Sequence, residues 1–145
     1  MSDILSVSQI KVPGTATSKD EAIREAGQIL VDTGAVTPAY VDAMFEREKS
    51  VSTYMGNYLA IPHGTNEAKD EITASALSVV RYDSPIDWDG NETRFVVGIA
   101  GYEGGHLEIL GKIAVIFSDT DEVDKMIAAG SAGEVYELLN AVNEE

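Results

Sequence analysis

Residues 58–64 limit the folds open to this chain more than any other segment. Residues 58–61 form a short apolar run typical of a buried strand. Pro62 has no N–H to donate to a sheet, so strand pairing is expected to end there. Gly64 allows the backbone to turn sharply and to approach a neighbour closely. The sequence therefore predicts that His63 lies at the rim of a sheet, where open α/β sheets bind ligands.

The rest of the chain alternates between strand and helix patterns. Apolar residues recur at helical spacing after positions 18 and 37, and again within residues 107–117, 120–127 and 131–142. Strand patterns cover residues 4–12, 72–82 and 93–100. Some strands follow one another directly, which predicts an α/β fold with a mixed sheet and helices on both faces. The length suits a single domain over residues 1–145.

Short signals predict where these elements begin and end. The predicted helix caps are Ser18, Thr37, Ser131, and either Thr120 or Asp121. Gly34 is expected to end the first helix. Residues 50–56 are interpreted as a polar linker, residues 83–85 and 101–105 as loops, and residues 89–91 as a turn.

Charge and composition exclude several classes of function. The chain has 25 acidic and 10 basic residues, a formal net charge of −15, which argues against binding to nucleic acids or anionic membranes. This charge favours a partner whose docking face is positive. Without cysteine, no disulfide or thiolate chemistry is available in this chain. Neither a signal peptide nor a membrane span is recognisable, so a cytoplasmic protein is expected.

The chain has two histidines, and each follows a predicted strand directly or after a glycine-rich loop. If these strands are parallel neighbours, His63 and His106 lie on the same rim. Arg47, from the end of the second helix, would complete a small cationic pocket. Such a pocket suits a phosphoryl group, since a guanidinium matches phosphate oxygens and a neutral imidazole is a nucleophile. Phosphoryl transfer needs mainly positioning and charge neutralisation, so no metal or cofactor is expected.

Plainer interpretations stay open from these residues alone. A loop histidine is commonly a solvated side chain, and Arg47 could form an exposed ion pair with Glu46 or Glu48. A zinc site built from His63, His106 and a carboxylate such as Glu67 is a third reading, although these residues lack a dedicated ligand spacing.

Four short segments carry a resemblance to a known family. They are Arg47-Glu48-Lys49, Tyr54-Met55-Gly56, Ile61-Pro62-His63-Gly64-Thr65 and Glu67-Ala68-Lys69-Asp70. Together they resemble the enzyme IIA domain of the mannitol/fructose type, from the bacterial phosphoenolpyruvate-dependent sugar phosphotransferase system. The run from Glu67 to Asp70 favours the mannitol branch. The resemblance extends over nearly the whole chain.

The resemblance implies an α/β fold with a mixed, mostly parallel sheet of about five strands flanked by helices on both faces. It implies that His63 accepts a phosphoryl group from the phosphocarrier protein HPr and passes it to a cysteine of the IIB domain of a sugar permease. Arg47 and His106 match the family's supporting residues, and Gly64 and Thr65 are the further predicted phosphate ligands. The glycine pair Gly104-Gly105 departs from the family pattern next to His106.

The resemblance also leaves an alternative function. Relatives with this fold act as phosphorylation-dependent regulators in nitrogen or transcriptional control. The mannitol-like run from Glu67 to Asp70 favours transport over regulation. We expect a monomeric IIA domain that is not fused to its permease.

Overall fold

The computed structural model describes residues 4–102 and 105–143, apart from the side chains of Asn66 and His106. Its helices are α1 (Lys19–Asp32), α2 (Ala39–Ser50), α3 (His106–Phe117), α4 (Thr120–Ala128) and α5 (Ala132–Leu139). Its strands are β1 (Ile10–Lys11), β2 (Tyr54–Gly56), β3 (Leu59–Ala60), β4 (Ala76–Trp88) and β5 (Asn91–Ala100). Among the described residues, short 3₁₀ helices cover Val7–Gln9, Asn66–Glu71 and Asn140–Asn143. Within the predicted loop 101–105, Glu103 and Gly104 lie outside the described residues.

The five strands form one sheet in the order β1-β4-β5-β3-β2. β1 pairs with β4 in parallel, and β3 pairs with β5 in parallel. The β4–β5 and β2–β3 pairs are antiparallel. The predicted α/β fold with a five-stranded mixed sheet is confirmed. Parallel pairs are only half of the four, rather than most of them, because two pairs are joined by tight turns that reverse the chain.

The longest strand differs from its prediction. β4 continues to Trp88 through the predicted loop at residues 83–85, with a register shift against β5 between Arg81 and Ile86. The irregularity accommodates Pro85, which cannot donate to a ladder. The predicted turn is confirmed, with Asp89 and Gly90 at φ values of 55° and 92°.

Two segments near the edges of the sheet also differ from their predictions. The predicted linker at residues 50–56 contains the edge strand β2, which sequence patterning missed because it is only three residues long. The predicted N-terminal strand begins later, at Ile10, after a turn of 3₁₀ helix.

Two of the predicted helix caps are confirmed and two are wrong. The Ser18 and Ser131 hydroxyls accept hydrogen bonds from the backbone N–H groups three residues on. α4 is capped by Asp119 rather than by Thr120 or Asp121. Thr37 does not cap α2, because its hydroxyl donates instead to Glu71. α2 is thereby tied to the segment that follows His63.

The sheet separates two hydrophobic cores. We call the side covered by α1 and α2 the α1–α2 face, and the side covered by α3, α4 and α5 the α3–α5 face. The α1–α2 core includes Ile23, Leu30, Tyr40, Met44, Val80, Tyr82, Val96 and Trp88. The α3–α5 core includes Leu77, Val79, Phe95, Val97, Ile113, Phe117, Met126 and Leu139. The prediction of helices on both faces is confirmed.

Candidate phosphoryl-transfer site

The predicted Pro62-His63-Gly64 corner follows β3 at the edge of the sheet. β3 runs parallel to β5, and the parallel register continues past the strand end as a bridge between His63 and Ile99. The Pro62 carbonyl accepts a hydrogen bond from the Ile99 N–H at 3.1 Å. His63 therefore lies at the carboxyl end of a parallel pair, the edge where ligands gather in α/β sheets.

The imidazole of His63 is half-buried and oriented by its own chain. Its Nδ1 lies 2.8 Å from the backbone carbonyl oxygen of Ile61. A carbonyl oxygen only accepts hydrogen bonds, so this contact assigns the proton to Nδ1 and the lone pair to Nε2. In the neutral imidazole, this hydrogen bond on Nδ1 leaves Nε2 as the nitrogen that carries the ring lone pair.

Tyr40, at the start of α2, holds the corner from the side. Its hydroxyl accepts a hydrogen bond from the Gly64 N–H at 2.8 Å and donates one to the Ile99 carbonyl at 2.7 Å. The side chain is buried, with 3% of its surface exposed. Burial raises the pKa of this phenol, so the hydroxyl keeps the proton that it donates to Ile99.

The Tyr40 ring also explains why residue 64 is a glycine. A Cβ placed on Gly64 would lie 2.5 Å from the ring carbon Cε1 of Tyr40, a distance too short for two carbon atoms that are not bonded. The apolar spacing that predicts a helix after position 37 includes Tyr40 as a buried position, and it missed the role of Tyr40 at the corner. Its place in the apolar stripe of α2 gave no signal for it, because the partners of its hydroxyl lie 24 and 59 residues away.

The start of α3 lies at the same edge of the sheet. His106 opens this helix after the loop that follows β5, and β5 is the parallel neighbour of β3. The predicted pairing of the two strands that precede the histidines is therefore confirmed at the level of the backbone. The side chain of His106 lies outside the described part of the structure, so its role stays a prediction.

Arg47 lies in the last turn of α2 and is half-buried. Its Nη1 donates to the Val51 carbonyl at 2.8 Å. The exposed ion pair with Glu46 or Glu48 is not what the structure shows, because Glu46 pairs with Lys49 and Glu48 is buried among other partners. Arg47 follows Tyr40 by seven residues, so both lie on the same side of α2, about 10 Å apart along its axis.

Glu48, near the end of α2, is a buried carboxylate. It accepts hydrogen bonds from the N–H and the hydroxyl of Thr53, at 2.8 and 2.5 Å, and from the indole of Trp88 at 3.1 Å. Lys19 lies 3.4 Å from it. The Thr53 carbonyl in turn accepts from the Ile61 N–H at 3.1 Å, which connects Glu48 to the strand that leads into the corner.

The two other predicted phosphate ligands directly follow His63. The Gly64 N–H is already bonded to Tyr40, so it supports the corner in this structure. Thr65 is half-buried and precedes the 3₁₀ helix Asn66–Glu71, and its side chain makes no capping hydrogen bond. Their predicted contact with a phosphoryl group stays a prediction.

The half-buried His63 side chain lies at the edge of the sheet, apart from a cavity along α1. This cavity of about 550 Å³ is lined by residues that include Lys11, Arg24 and Glu25, and His63 is not part of its lining. No group of three His, Cys, Asp or Glu residues among the described side chains could hold a metal ion. The zinc alternative also used His106, whose side chain lies outside that set, so it stays a hypothesis. Of the described helices, none is both long and apolar enough to cross a membrane.

Comparisons with known proteins agree with this geometry. The sequence profile of the family described as "Phosphoenolpyruvate-dependent sugar phosphotransferase system, EIIA 2" matches residues 3–142. A protein of Halalkalibacterium halodurans named mannitol-specific phosphotransferase enzyme IIA component is 55% identical over 141 residues, which cover 97% of each chain.

Two solved structures from Escherichia coli share the fold. One is the complex of enzyme IIAMTL with phosphorylated enzyme IIBMTL, at a TM-score of 0.87 and 34% identity over 93% of this chain and 96% of that one. The other is the crystal structure of IIA mannitol, at a TM-score of 0.86 and 35% identity over 93% and 98% of the two chains.

Proposed function

This chain belongs to the EIIA 2 family of the phosphoenolpyruvate-dependent sugar phosphotransferase system, and from that membership we propose that it is a histidine phosphocarrier. His63 accepts a phosphoryl group from phospho-HPr and transfers it to a cysteine of the IIB domain of a mannitol permease. The observation that carries the proposal is the Pro62-His63-Gly64 corner, where the Nδ1–Ile61 hydrogen bond leaves the lone pair on Nε2.

Mannitol specificity and the IIB partner are supported by the relatives. The 55% identical protein is named mannitol-specific, and the structure with a TM-score of 0.87 is a complex with a phosphorylated IIB. The same names favour transport over the regulatory alternative. Cytoplasmic localisation and a single domain over residues 1–145 belong to the same proposal.

The chemistry is a pair of in-line displacements. The Nε2 lone pair of His63 forms a bond to phosphorus while the bond from phosphorus to the donor breaks, and that electron pair returns to the donor. In the second transfer a thiolate of IIB attacks the same phosphorus, and the electron pair of the N–P bond returns to Nε2. The proton on Nδ1 stays in its hydrogen bond to Ile61 throughout.

The remaining predicted site residues orient and neutralise the transferred group. The guanidinium of Arg47 and the imidazole of His106 supply the positive charge. Thr65 and Gly64 contact the phosphoryl oxygens on the side of the backbone. Phosphoryl transfer depends mainly on such positioning and charge stabilisation. The group moves between two protein surfaces, which suits a histidine at the edge of the sheet.

The test is phosphorylation by phosphoenolpyruvate, enzyme I and HPr. We expect the wild-type chain to gain one acid-labile phosphoryl group, detected by intact mass. His63→Ala should gain none. His106→Ala should still be phosphorylated, more slowly, because the nucleophile is retained.

Since the chain has only two histidines, these variants form a complete pair. A phosphorylated His63→Ala together with an unphosphorylated His106→Ala would move the nucleophile to His106 and contradict the proposal. Adding IIB domains of different sugar specificity then tests the acceptor. A mannitol IIB should remove the phosphoryl group fastest.

A further inference from the structure

The backbone on both sides of His63 is bonded to one residue of the neighbouring strand and to one side chain. Before His63, the Pro62 carbonyl accepts from the Ile99 N–H. After His63, the Gly64 N–H donates to the Tyr40 hydroxyl, which donates in turn to the Ile99 carbonyl. The residues that flank His63 are thus held by three hydrogen bonds, which link Pro62 to Ile99, Gly64 to Tyr40, and Tyr40 to Ile99.

We propose that Tyr40 is a positioning residue for phosphoryl transfer, because its hydroxyl fixes the backbone after His63 and so aims the Nε2 lone pair. The inference rests on the proposed function of His63. Tyr40 does not touch the phosphoryl group, since it is buried behind Gly64. It acts through the backbone that carries the nucleophile.

The hydrogen bond between the His63 ring and Ile61 is internal to the corner. Ile61 lies only two residues earlier, so the ring and its hydrogen-bond acceptor move together when the corner moves. The bond from Gly64 to Tyr40, in contrast, links this corner to α2. A misplacement of about 1 Å can slow a transfer about a hundredfold, since the attacking atom must be in line with the leaving group.

Removing the hydroxyl leaves two groups without this partner. In Tyr40→Phe the ring stays, so the contact with Gly64 is kept. The Gly64 N–H and the Ile99 carbonyl both lose a hydrogen bond. Unpaired polar groups draw the backbone towards water or towards other partners. We therefore expect the corner to shift while the fold persists.

Tyr82→Phe is a matched control on the same face of the sheet. Tyr82 is also buried, at 2% exposure, and its hydroxyl donates to Glu25 at 2.6 Å. In the sheet, Ile99 pairs with Leu77 of β4. Tyr82 lies five residues further along β4 than Leu77, a distance of about 16 Å along the strand. The control therefore removes a comparable hydroxyl far from His63.

The experiment measures phosphoryl transfer from phospho-HPr in stopped-flow or quenched-flow mode. Tyr40→Phe is expected to lower the maximal transfer rate about tenfold to a hundredfold with an unchanged KM for phospho-HPr, because docking is not altered. Tyr82→Phe should transfer at the wild-type rate. The ¹⁵N shifts of the His63 ring should report the Nδ1–H tautomer in both variants, because the bond to Ile61 moves with the corner. The backbone amide shifts of His63 and Gly64 should change in Tyr40→Phe only.

Several results would overturn the inference. They are a wild-type transfer rate in Tyr40→Phe, an equal slowing in Tyr82→Phe, or a change confined to KM. If Tyr40→Phe folds poorly, the same rates and shifts are measured with trimethylamine N-oxide added to both variants. Failure of the proposed function would look different, since His63→Ala would then still be phosphorylated.

Discussion

The two faces of the sheet are built from different interactions. The α1–α2 face buries polar groups with specific partners, among them the Tyr40 hydroxyl, the Glu48 carboxylate and the pair of Tyr82 with Glu25. The α3–α5 face is mainly an apolar layer, in which Phe95 meets Phe117 edge to face at 5.4 Å. Apolar contact stabilises a fold without fixing direction, whereas a hydrogen bond fixes both distance and angle.

This difference bears on how the Pro62-His63-Gly64 corner is held at the edge of the sheet. In the proposed function His63 meets protein partners and must stay accessible, so its ring cannot be fixed by burial alone. The backbone around it is fixed instead from the α1–α2 side, by Tyr40 at one end of α2 and Glu48 at the other. One buried polar group on the α3–α5 side, Arg81, donates to the carbonyls of Ile127 and Ala129 at the end of α4, far in sequence from the corner.

The largest expected effect on stability concerns the α3–α5 face. Phe95→Ala should lower the free energy of unfolding by about 3–5 kcal/mol, because a fully buried ring is replaced by a cavity. Urea unfolding at neutral pH measures the loss. Val115→Ala is the matched control on α3, since Val115 is 72% exposed and should change stability by less than about 0.5 kcal/mol. Equal losses in both variants would contradict the assignment of the core.

The next largest effect concerns Glu48, the buried carboxylate of the α1–α2 face. Glu48→Gln should cost about 1–3 kcal/mol of unfolding free energy, since charged hydrogen bonds to Thr53 and Trp88 are weakened. It should also slow phosphoryl acceptance, because Thr53 is bonded to Ile61. Glu46→Gln, exposed on the same helix, should stay within about 0.5 kcal/mol of wild type. If Glu48→Gln has the stability and the phosphorylation rate of wild type, Glu48 does not support the corner.

A smaller effect concerns pH and the Glu25 carboxylate. Burial alone would raise its pKa, but hydrogen bonds from Lys11, Tyr82 and Thr15 outweigh burial and lower the pKa from 4.5 to about 2. A lowered pKa stabilises the fold above pH 4.5, and this contribution is lost as the pH falls towards 2. Glu25→Gln should therefore be less stable than wild type at pH 6. In urea titrations the difference should shrink by about pH 3, and a constant difference would contradict this linkage.

The smallest effect compares one glycine from each face. Gly111 lies inside α3, and a Cβ added to it would meet open space, so Gly111→Ala should raise stability by about 0.5–1 kcal/mol. A Cβ added to Gly34, after α1, would also meet open space, but Gly34 has a φ of +83°, which residues with a side chain rarely adopt. Gly34→Ala should therefore lower stability by a similar amount. Thermal unfolding of both variants checks the pair, and shifts of the same sign would show that backbone conformation does not decide the outcome.

Short-range signals predicted much of this structure. The Ser18 and Ser131 caps, the turn at Asp89 and Gly90, and the end of β3 before Pro62 each depend on residues within a few positions. The same local patterning failed where a partner came from elsewhere in the chain. Thr37 bonds to Glu71 and not to its own helix, and β4 continues through its predicted loop because β5 pairs with it on both sides of residues 83–85.

The sequence by itself determined that a histidine follows a buried strand and stands before a glycine, since proline and glycine act on the backbone locally. Only the tertiary structure decided what holds that histidine. The hydroxyl of Tyr40 reaches Gly64 across 24 residues and Ile99 across 59. Glu48 reaches Trp88 across 40. A residue's place in an apolar stripe shows that it is buried, but the partner of its polar atom depends on which elements the fold brings against it.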